Sequence, residues 1–226
     1  MRRLILVLLL LLVPLDLSAQ IAFVQAPNPA ITDSSSTTVA LAFGSNVTAG
    51  SLLVACVGWQ DTLGTTDVSS VVGSSSGAWG AVTTKFTVAS VGGSWSSQLW
   101  YKENAAGGAD TITATYSAAV ALGRTISPAE FSGAATSSAL DQSGGNTQVD
   151  PGAGVDIATS GNETTTADNE MVFGCGMNTA PSIGPLVAGT GYTSPITAPI
   201  GAFSAINIEY KLNFDTGTTA ATFTLT

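Results

Sequence analysis

Residues 52–59, LLVACVGW, form the most apolar stretch of the chain after its N-terminus and constrain the fold more than any other segment. The stretch is too short for a buried helix and has polar residues on both sides, which is typical of a β-strand buried on both faces. A second segment, 168–175, aligns with residues 49–56 without a gap. We therefore predict two central strands, at 52–59 and 171–177, one in each half of the chain.

These two strands also predict part of the core. Neither 52–59 nor 171–177 contains a charged residue, so side chains on both faces of each strand can be buried. Leu52, Val54, Met171 and Phe173 are accordingly predicted to be almost inaccessible to solvent.

Short β-forming segments fill most of the remaining chain. Residues 38–43, 97–102 and 111–116 are rich in β-branched and aromatic residues, which favour strands. No window of helical length carries apolar residues at helical spacing. The pattern predicts an all-β fold, an antiparallel two-sheet sandwich of jelly-roll type, in a single domain over residues 20–226.

Two of the expected strands carry more specific predictions. In 204–212, Ile206 and Ile208 alternate with Asn207 and Glu209, so the isoleucines are predicted to face the core and the polar pair to face solvent. In 125–131, Pro128 has no N–H to donate to a neighbouring strand. That segment is therefore predicted to be an edge strand or to contain a bulge.

The start of the chain has the organisation of a secretory signal peptide. Two arginines at positions 2 and 3 precede an apolar run, and small residues follow up to Ala19. The apolar run is too short to cross a bilayer, and no later stretch is long enough. The sequence predicts a signal peptide at 1–19 and a secreted protein without a membrane span.

The charge balance bears on possible partners. The chain carries six basic and fifteen acidic residues, with a net charge of −9. After residue 19 the basic residues are Lys85, Lys102, Arg124 and Lys211. Such a chain repels phosphate backbones, so the sequence argues against nucleic-acid binding.

The two cysteines, Cys56 and Cys175, occupy matching positions in the two aligned segments. In an exported protein the surroundings are oxidising, so a disulfide between them is one interpretation. The other is that both are small buried apolar side chains. The spacing does not decide between the two, because a bridge requires Cα atoms within about 7 Å.

Three patterns suggest enzymes, and we assign no catalytic residue from them. Residues 73–77 match a nucleophile elbow, but the chain has no histidine to act as its base. Residues 215–218 match an aspartic-protease signature that occurs once, which favours an ordinary turn. Four glutamates, Glu103, Glu130, Glu170 and Glu209, could supply a pair for glycoside hydrolysis if folding brought two of them together.

Polar loops suggest two further kinds of site. Asp61 and Asp67 lie in a polar segment where oxygen ligands could hold a structural calcium ion, and no other cofactor is predicted. Trp79 and Trp95 stand among Gly and Ser residues, and Tyr192 follows Gly191. Most aromatic side chains of a sandwich lie in its core, but an exposed flat ring can bind a sugar, so these three are the candidate ligand-binding residues, with Trp79 and Trp95 the best candidates for exposure.

Three pieces of the chain resemble a widespread group of uncharacterised exported bacterial β-sandwich modules. They are residues 49–59, the segments 130–133 and 140–143, and the stretch 209–218 with its Glu-Tyr-Lys and Gly-Thr. The resemblance implies a sandwich fold and export. Its shared positions are structural, so it implies no catalytic residues and favours binding or adhesion.

These observations favour a non-catalytic exported binding module for a carbohydrate or a cell-surface polymer. One alternative is a structural or adhesive component of an extracellular layer or filament, because weakly charged edge strands favour self-association. The enzyme alternative is a glycoside hydrolase with two carboxylates.

Overall fold

The computed structural model describes residues 20–90, 93–147, 156–178, 186–197 and 205–225. All regular structure in these ranges is β-strand, in several antiparallel sheets, so the all-β sandwich class is confirmed. The jelly-roll strand order stays a prediction. Within the same ranges no helix is long and apolar enough to cross a membrane. The predicted signal peptide lies outside the described residues.

The strands of the first half are β1 (Ala22–Gln25), β2 (Ala30–Thr32), β3 (Ser36–Ala42), β4 (Leu52–Asp61), β5 (Val68–Gly73), β6 (Gly77–Ala78), β7 (Gly80–Ala81), β8 (Phe86–Ser90), β9 (Gly93–Lys102), β10 (Thr111–Val120) and β11 (Leu122–Ser132). Those of the second half are β12 (Asp156–Thr159), β13 (Glu163–Thr164), β14 (Glu170–Asn178), β15 (Leu186–Ala188), β16 (Ala205–Phe214), β17 (Thr218–Thr219) and β18 (Thr222–Leu225).

The strand predicted at 52–59 is β4, and it lies in the middle of the largest sheet. This central sheet has the order β1-β11-β4-β9-β7, with β2 also paired to β11 and β8 to β9. Every residue of β4 before Asp61 is buried. The apolar run is therefore buried on both faces, as predicted.

One face of the central sheet packs against a second sheet, β3-β10-β5-β6, which we call the upper sheet. Leu53, Val57 and Trp59 of β4 join Ile112 and Tyr116 of β10 in one buried cluster. The Tyr116 hydroxyl donates to the carbonyl of Gly58 at 3.2 Å, which joins the two sheets through their core. Burial raises the pKa of Tyr116, so its phenol stays protonated in this contact.

The opposite face packs against the pair β14 and β16. Leu52 and Val54 of β4 form a second buried cluster with Phe131 of β11 and with Ile206 and Ile208 of β16. The two isoleucines therefore face the core, as predicted. The central sheet has a core on each side, which explains why β4 and β11 are buried along almost their whole length.

A disulfide between Cys56 and Cys175 joins β4 to β14 across this second cluster. The Cα atoms of the two residues are 5.7 Å apart, within the range a bridge requires. The sequence left two interpretations open, and the structure shows that the two cysteines form a disulfide.

The burial predicted for the two central strands is confirmed for one and wrong for the other. Leu52 and Val54 are 7% and 6% exposed. Met171 and Phe173 on β14 are only half-buried. Both side chains face the second cluster but also line an open cleft beside it, so their environment is not closed on every side.

The edge or bulge predicted at Pro128 is wrong, because β11 is an interior strand. β4 pairs along one side of β11, with Pro128 opposite Ala55. The other side is shared by β1, which ends its pairing at Glu130, and β2, which begins at Ile126. Pro128 lies in the interval that neither strand covers, so its missing N–H removes no bond there.

The solvent exposure predicted for Asn207 and Glu209 is also wrong: they are 2% and 0% exposed. They project from the face of β16 that is turned away from the central sheet, and this face is covered by β15 and β18. A Cβ at Gly174, opposite Glu209 on β14, would lie 2.8 Å from Ala221. Glycine on β14 thus lets another layer approach closely.

The buried polar groups of this layer are paired. Glu209 accepts the N–H of Gly189 and the N–H of Thr222, each at 2.8 Å. The Asn207 side chain donates to the carbonyl of Leu186 and accepts from Ser194, both at 2.7 Å. Each side chain replaces hydrogen bonds to water with bonds to the covering segments, which is how a polar group is tolerated in a core.

Glu209 predicts a pH dependence of stability. Burial raises its pKa from 4.5 to about 7, against the opposing effect of its two N–H donors. As the pH rises above 4.5, the carboxyl group of Glu209 loses its proton in the unfolded chain but keeps it in the folded chain until the pH approaches 7. The stabilising contribution of Glu209 is therefore complete at low pH, declines as the pH approaches 7 and is absent above it.

Urea denaturation of the wild type and of Glu209→Gln at pH 5 and pH 8 measures this effect. We expect the free energy of unfolding of the wild type to fall between the two pH values by more than that of the variant. The glutamine side chain has one acceptor oxygen where Glu209 has two, so the variant is expected to be less stable at both pH values. The diagnostic quantity is the change in the free energy of unfolding between pH 5 and pH 8. The same change in the wild type and in Glu209→Gln would contradict a raised pKa of Glu209 in the folded protein.

Candidate functional site: a cleft between the sheets

The described residues form an open cleft of about 1490 Å³. Its walls are formed by residues of β8 and β9 in the central sheet and of β14 on the other side, and β12, β13 and β18 also contribute. Ligand sites are concave and mostly apolar with a few polar groups, and their volumes are about 300–1,000 Å³. The volume of this cleft is above that range, which suits an extended ligand.

Half-buried aromatic rings form the floor of the cleft. Phe86 lies opposite Ser97 on β9, Tyr101 lies opposite Val54 on β4, and all four residues line the cleft. Because directly opposed residues share a sheet face, strand pairing places both rings on the side turned toward β14. Phe173 of β14 adds a ring from the other wall.

Residues 134–147, which we call the strap, connect β11 to the second half and run along the cleft. The N–H of Ala139 donates to Glu103 at 2.8 Å. Asp141 accepts the N–H and the hydroxyl of Thr166 at 2.8 and 2.6 Å. Gly145 lies so close to the Phe86 ring that a side chain at this position has no room. The strap is thus fixed at two points and covers part of the aromatic floor.

The rim carries carboxylates. Asp141, Glu163 and Glu170 line the cleft. The hydrogen bonds from Thr166 lower the pKa of Asp141. Burial, followed by the charge of Asp141, raises the pKa of Glu170. The rim is therefore a hydrogen-bonding and negatively charged border around an apolar floor.

The exposure expected of Trp79 and Trp95 is wrong. Trp79 is 6% exposed, belongs to the cluster between the central and upper sheets, and donates its ring N–H to Ser76 at 3.1 Å. Trp95 is 4% exposed and lines the base of the cleft. Its ring lies against Gly123, where a Cβ has no room. This packing is formed by a distant part of the chain and leaves Trp95 no free ring face.

Tyr192 is half-buried and is not among the residues that line the cleft. Its hydroxyl donates to the carbonyl of Ala220 at 2.7 Å and lies 3.3 Å from the Thr219 hydroxyl. Burial raises the pKa of Tyr192. Its observed contacts hold the segment before β18 in place, and its role in ligand binding stays a prediction.

Asp61 and Asp67 have partners other than a metal ion. Asp61 accepts the N–H of Thr66 at 2.7 Å. Asp67 forms a salt bridge of 2.7 Å with Lys85, whose ammonium also donates to the carbonyls of Gly64 and Thr66. The ammonium thus supplies a positive charge to the oxygens of this loop. Among the described residues no group of three or more His, Cys, Asp or Glu could hold a metal ion.

The apparent nucleophile elbow at 73–77 is a hairpin tip between β5 and β6. Buried Asp110 accepts the N–H of Ser75 at 2.8 Å and the hydroxyl of Ser74 at 3.1 Å. The Ser75 hydroxyl donates to the carbonyl of Ala109. These serines therefore shape a turn.

The aspartic-protease match at 215–218 is likewise a turn, here before β17. Asp168 accepts both the N–H and the hydroxyl of Thr216. Gly217 donates its N–H to Thr165 at 3.0 Å. The interpretation of 215–218 as a turn agrees with these contacts.

Two of the four glutamates considered for glycoside hydrolysis are fully buried structural groups. Glu130 accepts from Thr48, Ser51 and Gln25 at 2.7, 2.8 and 2.7 Å. Glu209 holds the outer layer together, as described above. Of the four, only Glu170 lines the cleft. The aromatic residues of the cleft that sequence reasoning missed are Phe86 and Phe173, and strand pairing places Phe86 on the same sheet face as Tyr101.

No protein-family model, curated protein or solved structure matches this chain, so its function is inferred from the geometry of the cleft.

Proposed function

We propose that this protein is an exported, non-catalytic binding module that holds a carbohydrate or cell-surface polymer in the cleft. The observation that carries the proposal is the combination, in one cavity, of half-buried rings and a polar rim. A ring face packs against the apolar face of a sugar, and carboxylates accept its hydroxyls. The size of the cleft accommodates several sugar units in a row.

The described carboxylates support binding more than hydrolysis. Glycosidases hold their two carboxyl groups about 5 Å or more apart, with the scissile bond between them. Asp141 accepts the N–H and the hydroxyl of Thr166, so its carboxyl group is held as part of the strap. The buried Glu130 accepts three donors and has no access to the cleft.

Binding of oligosaccharides and polysaccharides to the mature protein, measured by calorimetry and by retention on insoluble polymers, tests the proposal. We expect Tyr101→Ala to weaken binding by roughly 3- to 10-fold, because it removes a stacking face, and Phe86→Ala to weaken it less, because Gly145 already covers part of the Phe86 ring. Leu63→Ala is the control, since Leu63 is 77% exposed and lies outside the cleft lining. It should bind like the wild type.

Circular dichroism and thermal denaturation of the same variants separate lost binding from lost folding. If folded wild-type protein binds no glycan in the panel, or if Tyr101→Ala and Phe86→Ala bind as tightly as Leu63→Ala, the cleft is not a glycan site.

The self-association alternative has less support from the strand edges. The N–H of Phe43 donates to the backbone carbonyl of Asp110, on the side of β10. Successive residues of a strand direct their backbone groups to opposite sides, so Thr38, an odd number of positions away, directs its carbonyl away from β10. The buried Arg124 donates to this carbonyl and to that of Ser34. Part of the β3 edge is therefore already occupied by this chain, and covered edges disfavour strand addition.

A further inference from the structure

We infer that the ligand of the cleft is a glycan bearing protonated amino groups, and that polysaccharides with carboxylate, sulfate or phosphate groups are excluded. The inference rests on the proposed function and specifies the ligand class for the same site. It follows from the charges of the lining residues, from where the chain places its cations, and from the aromatic floor.

All charged residues found in the lining are acidic. Asp141 lies on the strap, Glu163 is in β13 and Glu170 begins β14. Glu163 and Glu170 are half-buried, so their charges are less screened by water than those of free surface carboxylates. Glu163 also lies directly beside Gly144 of the strap. The three carboxylates therefore border the cleft at the strap.

The basic residues of the chain after residue 19 lie elsewhere. Lys85 is bound to Asp67 and to two carbonyls. Arg124 is 2% exposed and donates to β3 and the residues before it. Lys102 lies opposite Leu53, which packs between the central and upper sheets, so Lys102 is on the sheet face turned away from the cleft. The Lys211 ammonium lies 4.7 Å from the centre of the Phe214 ring. None of the four lines the cleft.

Outside the described ranges the sequence after residue 19 contains no further Lys, Arg or His, so these four are its basic side chains. An anionic glycan in the cleft would thus meet carboxylates without a basic side chain in the lining to compensate for them. Such like-charge contacts disfavour a partner strongly.

Ammonium groups suit the same surroundings for two reasons. They pair with carboxylates, and this attraction increases where water is partly excluded. They also bind favourably over the faces of aromatic rings, which Phe86, Tyr101 and Phe173 provide in the floor. A sugar with an amino substituent satisfies the rim and the floor at once, whereas a neutral sugar engages the rim only through hydroxyls.

Three oligomers with similar backbones test the inference: β-1,4-linked glucosamine, its fully N-acetylated form, and oligogalacturonate. At mildly acidic pH and low salt we expect glucosamine oligomers to bind about tenfold more tightly than the acetylated ones, from the sum of several partly screened ion pairs. Oligogalacturonate should not bind measurably. Added salt should reduce the preference for the amine, because it screens the charges.

Glu163→Gln, Glu170→Gln and Asp141→Asn identify the groups responsible. Each is expected to weaken binding of glucosamine oligomers by roughly 2- to 5-fold and to weaken binding of the acetylated oligomers less, because the amide keeps an oxygen that can accept a sugar hydroxyl. Asp215→Asn is the matched control, since Asp215 is an exposed carboxylate outside the lining. It should have no effect on either ligand.

The outcomes separate this inference from the proposed function. Equal binding of amino and acetylated oligomers, or unchanged preference in all three rim variants, overturns the inference and leaves the glycan-binding module in place. Measurable binding of oligogalacturonate at the cleft also overturns it. If no oligomer of any class binds, both the inference and the proposed function fail.

Discussion

Replacing Cys56 and Cys175 together with alanine is expected to lower the free energy of unfolding by about 4–5 kcal/mol. The bridge joins residues 119 positions apart and thereby restricts a large part of the unfolded chain. It also connects β4, the most buried strand of the central sheet, to β14 in the second half. Equilibrium urea denaturation of the oxidised wild type and of the double variant measures the difference.

Single variants give the control for this prediction. Cys56→Ala and Cys175→Ala each break the same bond, so each alone should cost nearly as much as the double variant, and the effects should not add. Alanine at Cys56 keeps an apolar group at a fully buried position, which limits the contribution of lost packing. A loss below about 1 kcal/mol in the double variant would show that the bridge contributes little to stability.

The part of the fold that the sequence predicted best is the central strand. Residues 52–59 have no charge and no periodicity, and a strand with a core on each side is the arrangement that such a run requires. The class of fold followed from the absence of helical periodicity. The location of Cys175 opposite Cys56 agreed with the alignment of the two segments, although only the structure established the bridge.

The covering of β16 could not be deduced from alternation alone. Asn207 and Glu209 have the composition of a solvent-facing side, but backbone N–H and C=O groups of distant segments pair with them. A signal was present on the partner strand: Gly174 and Gly176 lie opposite these two residues and share a face. Two glycines at alternate positions of a strand indicate the close approach of another layer.

The cleft is the feature least visible in the sequence. Its floor comes from β4, β8, β9 and β14, and its rim from the strap, from β13 and from the first residue of β14, so no local motif contains it. Trp95 appeared isolated because its neighbours are Gly and Ser, whereas its packing partner Gly123 is remote in sequence. Ring exposure in a sandwich depends on which strands pair, and single-sequence patterns do not determine that pairing.

Phe131→Ala is expected to lower the free energy of unfolding by about 3–5 kcal/mol, because truncation leaves a cavity in the second buried cluster. Phe131 is 0% exposed, and its ring centre lies 5.8 Å from that of Phe23, 6.2 Å from that of Phe173 and 5.2 Å from that of Tyr210. These rings come from β1, β14 and β16, so one side chain joins the central sheet to the second half.

Phe173→Ala is the matched control, with the same substitution in the same aromatic cluster. Phe173 is half-buried and faces the open cleft, so water can occupy the space that truncation leaves, and we expect a loss of about 1–2 kcal/mol. Urea denaturation of both variants, with the bridge intact, measures the two losses. Phe131 lies on the closed side of the aromatic cluster and Phe173 on the open side. An equal or larger loss for Phe173→Ala would therefore show that the core lies nearer β14 than β11.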